Sequence, residues 1–186
     1  MTDMALRDLP LPGLRLLTHR THQDARGRFS RLYCLTWLNQ ATAPFTVRQI
    51  NLSQTSRCGS VRGLHYQLPP FSEDKLITCL RGSVWDVAVD VRQDSPTFLK
   101  WHAERLQAGD GRSLWLPPGF AHGFQALSDD VELLYLHSAD YVPDQESGLA
   151  PGDSRLGISW PLPVVNLSSR DAAHPPLTDA FRGIVV

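Results

Sequence analysis

Long apolar runs are missing from this chain. No window approaches 18 consecutive apolar residues, and the stretch Met1 to Pro10 carries no apolar segment of the export type. Neither a membrane span nor a secretion signal is therefore expected. Cysteine is scarce: Cys34, Cys58 and Cys79 are odd in number and show no Cys-x-x-Cys spacing. That fits free thiols in a reducing compartment better than a disulfide framework, so a cytoplasmic address is expected. Excess charge is also lacking. A net charge of −1 supplies no global field toward nucleic acid or an anionic membrane, so an anionic ligand must be held by a local cluster. Lysine is nearly absent, with Lys75 and Lys100 the only two among 18 basic residues. Helical periodicity is weak, and no internal repeat or low-complexity tract is found.

What is present is a chain of 186 residues, 42% hydrophobic, long enough for one well-buried core and short for two. Fourteen prolines and thirteen glycines punctuate it. Between them lie short apolar runs: Phe45–Asn51, Ser60–Tyr66, Leu76–Leu80, Ser83–Val91, Leu99–Leu106, Ser113–Leu116, Ala121–Leu127 and Val131–His137. Period-2 alternation and β-branched content argue for strands, and the turn signals recur at the spacing of an all-β sandwich or barrel. Residues 141–163, rich in Pro, Gly and Asp, read as a long ordered excursion. Ser168 is placed to cap a short helix beginning at Ser169. One domain over 1–186 is expected, with a core at about 26–140 and a C-terminal extension at 141–186.

Two patterns sharpen this. Gly59-x5-His65-x-Gln67, followed by Glu73 and Gly82, and Pro117-x-Gly119-x-x-His122 resemble the two motifs of the cupins. The expected fold class is thus all-β, a cupin-type double-stranded β-helix (jelly roll) with short terminal helices. Residues two apart on a strand share a face, so a His-x-His pair on such a barrel chelates one metal. Here Gln67 replaces the second His, and a neutral amide is a poor ligand for a divalent transition metal. No metal is expected in the barrel, which leaves His65 free to act as a base near neutral pH.

The run Val61-Arg62-Gly63-Leu64-His65-Tyr66-Gln67-Leu68-Pro69-Pro70 leads a longer series. Lys75-Leu76-Ile77-x-Cys79, the stretch Gly82 to Phe98, Leu114-Trp115-x-Pro117-x-Gly119-Phe120-Ala121-His122-Gly123-Phe124, Ile158-x-Trp160-Pro161 and Leu167-Ser168-x-x-Asp171 follow in order. Together, over about Arg26 to Asp171, they resemble the dTDP-4-dehydrorhamnose 3,5-epimerase family. The resemblance implies epimerisation, without NAD or metal, of a nucleotide-linked 4-keto-6-deoxyhexose at the carbons flanking its ketone. It assigns His65 as base, Asp171 as the carboxylate orienting it, Lys75 as the cation at the enolate oxygen and Tyr135 as proton donor. It places Arg62 at the diphosphate, with Arg26, Gln49, Asn51, His122, Tyr141, Glu146 and Arg170 as further substrate contacts. It implies no cofactor, and a homodimer in which N-terminal strands are exchanged.

The series departs from the family in three places. Phe29-Ser30-Arg31 puts an arginine where an acid is usual. Asp140-Tyr141 replaces a Tyr-Tyr pair, with Leu136 instead of Lys after Tyr135. Leu149-Ala150-Pro151-Gly152-Asp153 stands where a Trp and paired acids are common. A single-centre epimerase or ketoisomerase is the nearest alternative. A non-catalytic sugar-nucleotide-binding module and a metal-dependent cupin dioxygenase are the alternatives from other classes.

Overall fold

The computed structural model describes residues 3–41 and 45–186. Two antiparallel sheets face each other as a cupin-type jelly roll. The first runs β1 (Met4–Asp8), β2 (Arg15–His19), β10, β7, β12, β5; the second runs β13, β6, β11, β8, β9. In chain order the remaining strands are β3 (Thr21–Asp24) and β4 (Gly27–Ser30), which form a separate hairpin, β5 (Gln49–Thr55), β6 (Val61–Gln67), β7 (Lys75–Arg81), β8 (Ser83–Asp90), β9 (Trp101–Gln107), β10 (Arg112–Leu116), β11 (Phe120–Ala126), β12 (Val131–His137) and β13 (Glu146–Gly148). Helix α1 spans Leu35–Ala41 and α2 spans Ser169–Ala172. Among the described residues no helix is long and apolar enough to cross a membrane.

Alternation along the strands sorts side chains into three apolar layers. Ile77, Cys79, Val84, Ala88, Leu114, Leu116, Phe120, Phe124, Val131 and Leu133 fill the space between the sheets. Leu64, Tyr66, Val87 and Val89 point outward from the second sheet and are covered by Leu149, Leu156 and Ile184 of the C-terminal extension. Leu76, Trp115 and Leu136 on the outer face of the first sheet are covered by Met4, Leu38 and Phe45. The first sheet thus includes β1 and β2, which precede the expected core. Phe45, expected within a strand, instead takes its N–H to Asn39 Oδ1 and packs its ring against Tyr33 and Trp115. The excursion at 141–163 is ordered. A short 3-10 turn at Pro143–Gln145 leads into β13, which adds to the edge of β6.

Candidate active site

At one end of the interior the apolar filling stops, and the same inward-facing positions turn polar. On β12 the series Val131, Leu133 continues as Tyr135 and His137; on β7, Cys79 and Ile77 give way to Lys75. On β5, Ser53, Asn51 and Gln49 stand opposite them in register. The second sheet contributes Arg62, His65 and Gln67 from β6 and His122 and Phe124 from β11. These residues, with Glu73, Tyr141, Glu146 and Arg170, line a cavity of about 380 Å3.

Arg62 and His65 are three apart, which on a regular strand would put them on opposite faces. The pairing of β6 with β11 resolves this: His122 pairs with His65 and Phe124 with Arg62, so two residues of β6 face one of β11. This bulge rephases the strand. Gly63 sits in it at φ +112°, and a Cβ there would lie 2.6 Å from Gly123 Cα and from His122 O. Only glycine fits.

His65 Nε2 lies 2.7 Å from Asp171 Oδ1, across 106 residues of sequence. A carboxylate partner places the imidazole proton on Nε2 and leaves the lone pair on Nδ1. Asp171 is buried and held by three further devices: its own N–H donates to the Ser168 cap of α2, its Oδ2 accepts from Gly63 N–H, and α2 packs against β6. Burial lowers the His65 pKa below the usual histidine value, opposed by the hydrogen bond and charge of Asp171. Burial also pulls the Asp171 pKa upward, but its interactions with His65, with the Gly63 N–H and with Ser168 together outweigh it and hold the carboxyl below the ordinary range. Neutral imidazole beside ionised carboxylate is a base-ready pair.

Across the cavity, on the facing sheet, stands Tyr135. Its ring stacks on His137 at 5.9 Å and meets the His122 ring edge-on at 5.7 Å. Burial and the negative charge of Asp86 raise its pKa well above 10, so the phenol keeps its proton across the physiological range. His122 itself is fixed by Asp86, Nε2 to Oδ1 at 2.8 Å. The buried Lys75 ammonium lies 3.3 Å from both His65 O and Glu73 Oε1. Glu73 also holds His137 Nδ1 at 3.0 Å. Burial pulls the Glu73 pKa upward, and His137 and Lys75 more than offset that, so Glu73 is ionised.

Arg62 is bonded by Ser53 Oγ and Gln54 O and makes no ion pair among the described residues, which leaves its charge available to an anion. Arg170 is paired with Glu146 at 2.6 Å, and Glu146 also accepts from the Tyr141 hydroxyl at 2.7 Å. Tyr141 N–H is held by Gln49 Oε1. Of the sequence-derived site residues, His65, Lys75, Tyr135, Gln49, Asn51, Arg62, His122, Tyr141, Glu146 and Arg170 line the cavity, and Asp171 stands directly behind His65. Arg26 does not: it lies in the β3–β4 turn, its side chain 90% exposed and, among the described residues, paired only with Asp24. Sequence reading missed Asp86 and His137 and gave Glu73 no role in the site; the bonds Asp86–His122 and Glu73–His137 join residues 36 and 64 apart, and only Glu73–Lys75 is local.

The positions that carry a metal in cupins are otherwise engaged. The Gln67 amide donates to Phe71 O and Asp140 O and accepts from Val142 N–H, pinning the excursion to the barrel. Glu73 is committed to Lys75 and His137, and His122 to Asp86. That donor set does not fit the metal of a cupin dioxygenase.

Comparison with known proteins places the chain's sequence and fold in one family. The model of the family described as dTDP-4-dehydrorhamnose 3,5-epimerase matches residues 8–179. The chain is 38% identical over 180 residues to the dTDP-4-dehydrorhamnose 3,5-epimerase of Sinorhizobium fredii, covering 96% of this chain and 92% of the relative. It is 40% identical over 169 residues to the dTDP-4-dehydrorhamnose 3-epimerase of Streptomyces niveus, covering 90% and 81%. Among solved structures, that of the dTDP-6-deoxy-D-glucose-3,5-epimerase of Legionella pneumophila, in complex with dTDP-4-keto-L-rhamnose, matches with a TM-score of 0.90 and 34% identity over 98% of each chain. By sequence, fold and family model alike, the chain is a member of the dTDP-4-dehydrorhamnose 3,5-epimerase family, whose members are isomerases.

Proposed function

We propose that this protein epimerises a dTDP-linked 4-keto-6-deoxyhexose at carbons 3 and 5, converting dTDP-4-dehydro-6-deoxyglucose to dTDP-4-dehydrorhamnose. One observation carries the reading: the His65 imidazole on one sheet and the Tyr135 phenol on the facing sheet line the same cavity. In each half-reaction His65 Nδ1 takes the proton from the carbon beside the ketone, and the C–H electron pair moves to the keto oxygen as an enolate. Lys75 stabilises that oxygen, an effect worth about 10²–10³ in rate for a preorganised donor. The enolate then collapses and its carbon takes the Tyr135 proton from the other side, inverting the centre. Solvent recharges the phenol and removes the proton from His65. Arg62 and Arg170 serve the diphosphate, Gln49 and Asn51 the nucleoside, and Tyr141, His122 and Glu146 the hexose and its surroundings.

The position of Arg26 belongs with a homodimer. The hairpin β3–β4 joins neither sheet of its own chain, and Phe29 at its end is 68% exposed. The free edge β5 exposes Ile50 at 62% and Leu52 at 55%. A second copy laying its hairpin along that edge would cover these apolar side chains and carry Arg26 to the cavity. A cytoplasmic address is part of the same proposal, and the three free cysteines support it.

The relative from Streptomyces niveus, named a 3-epimerase, favours inversion of carbon 3 alone as the second reading. One experiment decides between them: incubation with dTDP-4-keto-6-deoxyglucose in deuterated water, followed by NMR of the ring. Deuterium at both carbons is expected. Label at carbon 3 alone establishes the restricted enzyme, and no label removes the catalytic reading.

A further inference from the structure

Beside the His65–Asp171 pair lies a third group that epimerisation does not use. Asp171 is in α2 and His174 lies just beyond its end; both meet β6, Asp171 through the Gly63 N–H and the His65 ring, His174 through the His65 ring. One ligand atom each from His65, Asp171 and His174 lie within 4.8 Å of one another, and the His65 and His174 rings meet edge to face at 6.3 Å. His174 Nε2 is buried with no hydrogen-bond partner among the described residues. Its place depends on Gly148, which pairs with His65 across β13 and β6: a Cβ at 148 would collide with His174 Nε2. The chain thus brings a second imidazole, half-buried with its Nε2 enclosed, to the face of His65 that the carboxylate occupies.

We propose that His65, Asp171 and His174 form an inhibitory binding site for zinc and similar divalent transition metals. Two imidazoles and a carboxylate are a donor set that suits zinc, whose ligand atoms stand about 3.3 Å apart around the ion, so His174 closes by up to about 1.5 Å while the His65–Asp171 pair, now 2.7 Å apart, opens by roughly 0.6 Å. The larger movement falls on His174, in the coil beyond α2. Entry is provided by a second cavity of about 480 Å3, onto which His65, Asp171, Ser168 and Asn166 open. The nearby Arg170 charge is offset by Glu146. In the metal-bound state zinc replaces the proton between His65 Nε2 and Asp171 Oδ1. A neutral imidazole then carries its single proton on Nδ1, the atom that must be unprotonated to act as base. Binding therefore removes the base without displacing it.

The inhibition rests on His65 being the base, whereas binding does not, so the two are measured separately. Full-length protein freed of metal with a chelator is titrated with zinc chloride by calorimetry near pH 7.5, alongside His174→Ala and His174→Gln, with thermal melting as the check on folding. One zinc per chain is expected, with affinity weakened at least about tenfold in both variants. Deuterium exchange into the keto-sugar nucleotide is then measured with and without zinc within each protein. Strong slowing in the wild type, reversed by chelator and relieved in the variants, is expected. Equal zinc affinity in folded variants and wild type, or no zinc binding, overturns the site. Binding without slowing overturns the inhibition. No exchange even in zinc-free wild type overturns the epimerase reading, while the calorimetry still decides the site.

Discussion

His65 works under two opposed influences, and their balance is measurable. Burial lowers its pKa and Asp171 raises it. With the neutral form as the proposed base, a lowered value is expected to keep kcat/KM on its plateau below the ordinary histidine value of about 6.5, with the rate falling only as pH drops through the lowered pKa. Asp171→Asn removes the raising influence and leaves the burial. Its acid limb is expected to move to still lower pH while kcat falls by about 10²–10⁴-fold, since the imidazole loses both its tautomer and the partner of its imidazolium. A pH–rate profile in which the limb moves upward would refute the pairing. Tyr135 has the reverse character: with its pKa well above 10, no loss of activity below pH 10 is expected from its ionisation. Tyr135→Phe is expected to retain hydrogen exchange and lose inversion, read by comparing deuterium uptake with product stereochemistry. The four proposed catalytic residues were assigned in the sequence through the family resemblance, and His65, Lys75 and Asp171 sit in its quoted motifs. Asp86 and His137 were not, because their roles arise only from pairing: His137 meets Glu73 64 residues away, and Asp86 meets His122 36 residues away. Seen singly, each is one more polar residue on a strand.

A bulge decides which face β6 presents, and Gly63 decides whether the bulge can form. Gly63→Ala places a Cβ against backbone at 2.6 Å and a side chain on a residue held at φ +112°. The expected cost is about 1–3 kcal/mol in urea unfolding, with activity lost beyond that because Arg62 and His65 fall out of phase. An unchanged midpoint would show that the strand tolerates a regular register. Apolar runs announced β6 to β12 within a few residues, since a strand with a buried face must alternate. Hairpin β3–β4, with the sequence Thr-His-Gln-Asp and Gly-Arg-Phe-Ser, was silent because it buries almost nothing. Strand β13 is three partly buried residues and owes its existence to the edge of β6 rather than to its own composition. Ser168 was legible as a cap because its role is local.

Across the molecule, each sheet is covered on its outer face by a different end of the chain: residues around α1 on one side and the C-terminal extension on the other. The uncovered feature is β5. Leu52→Arg places a charge in the proposed contact between copies, and sedimentation velocity is expected to show a monomer where the wild type sediments as a dimer. A monomeric wild type at micromolar concentration would remove the shared-hairpin arrangement. The wide separation of His65 and Asp171 along the chain bears on synthesis. At ordinary translation rates the imidazole leaves the ribosome roughly 5–20 s before the carboxylate 106 residues later that sets its tautomer. A nascent chain therefore carries its proposed base as an unoriented histidine until the segment around α2 has been made.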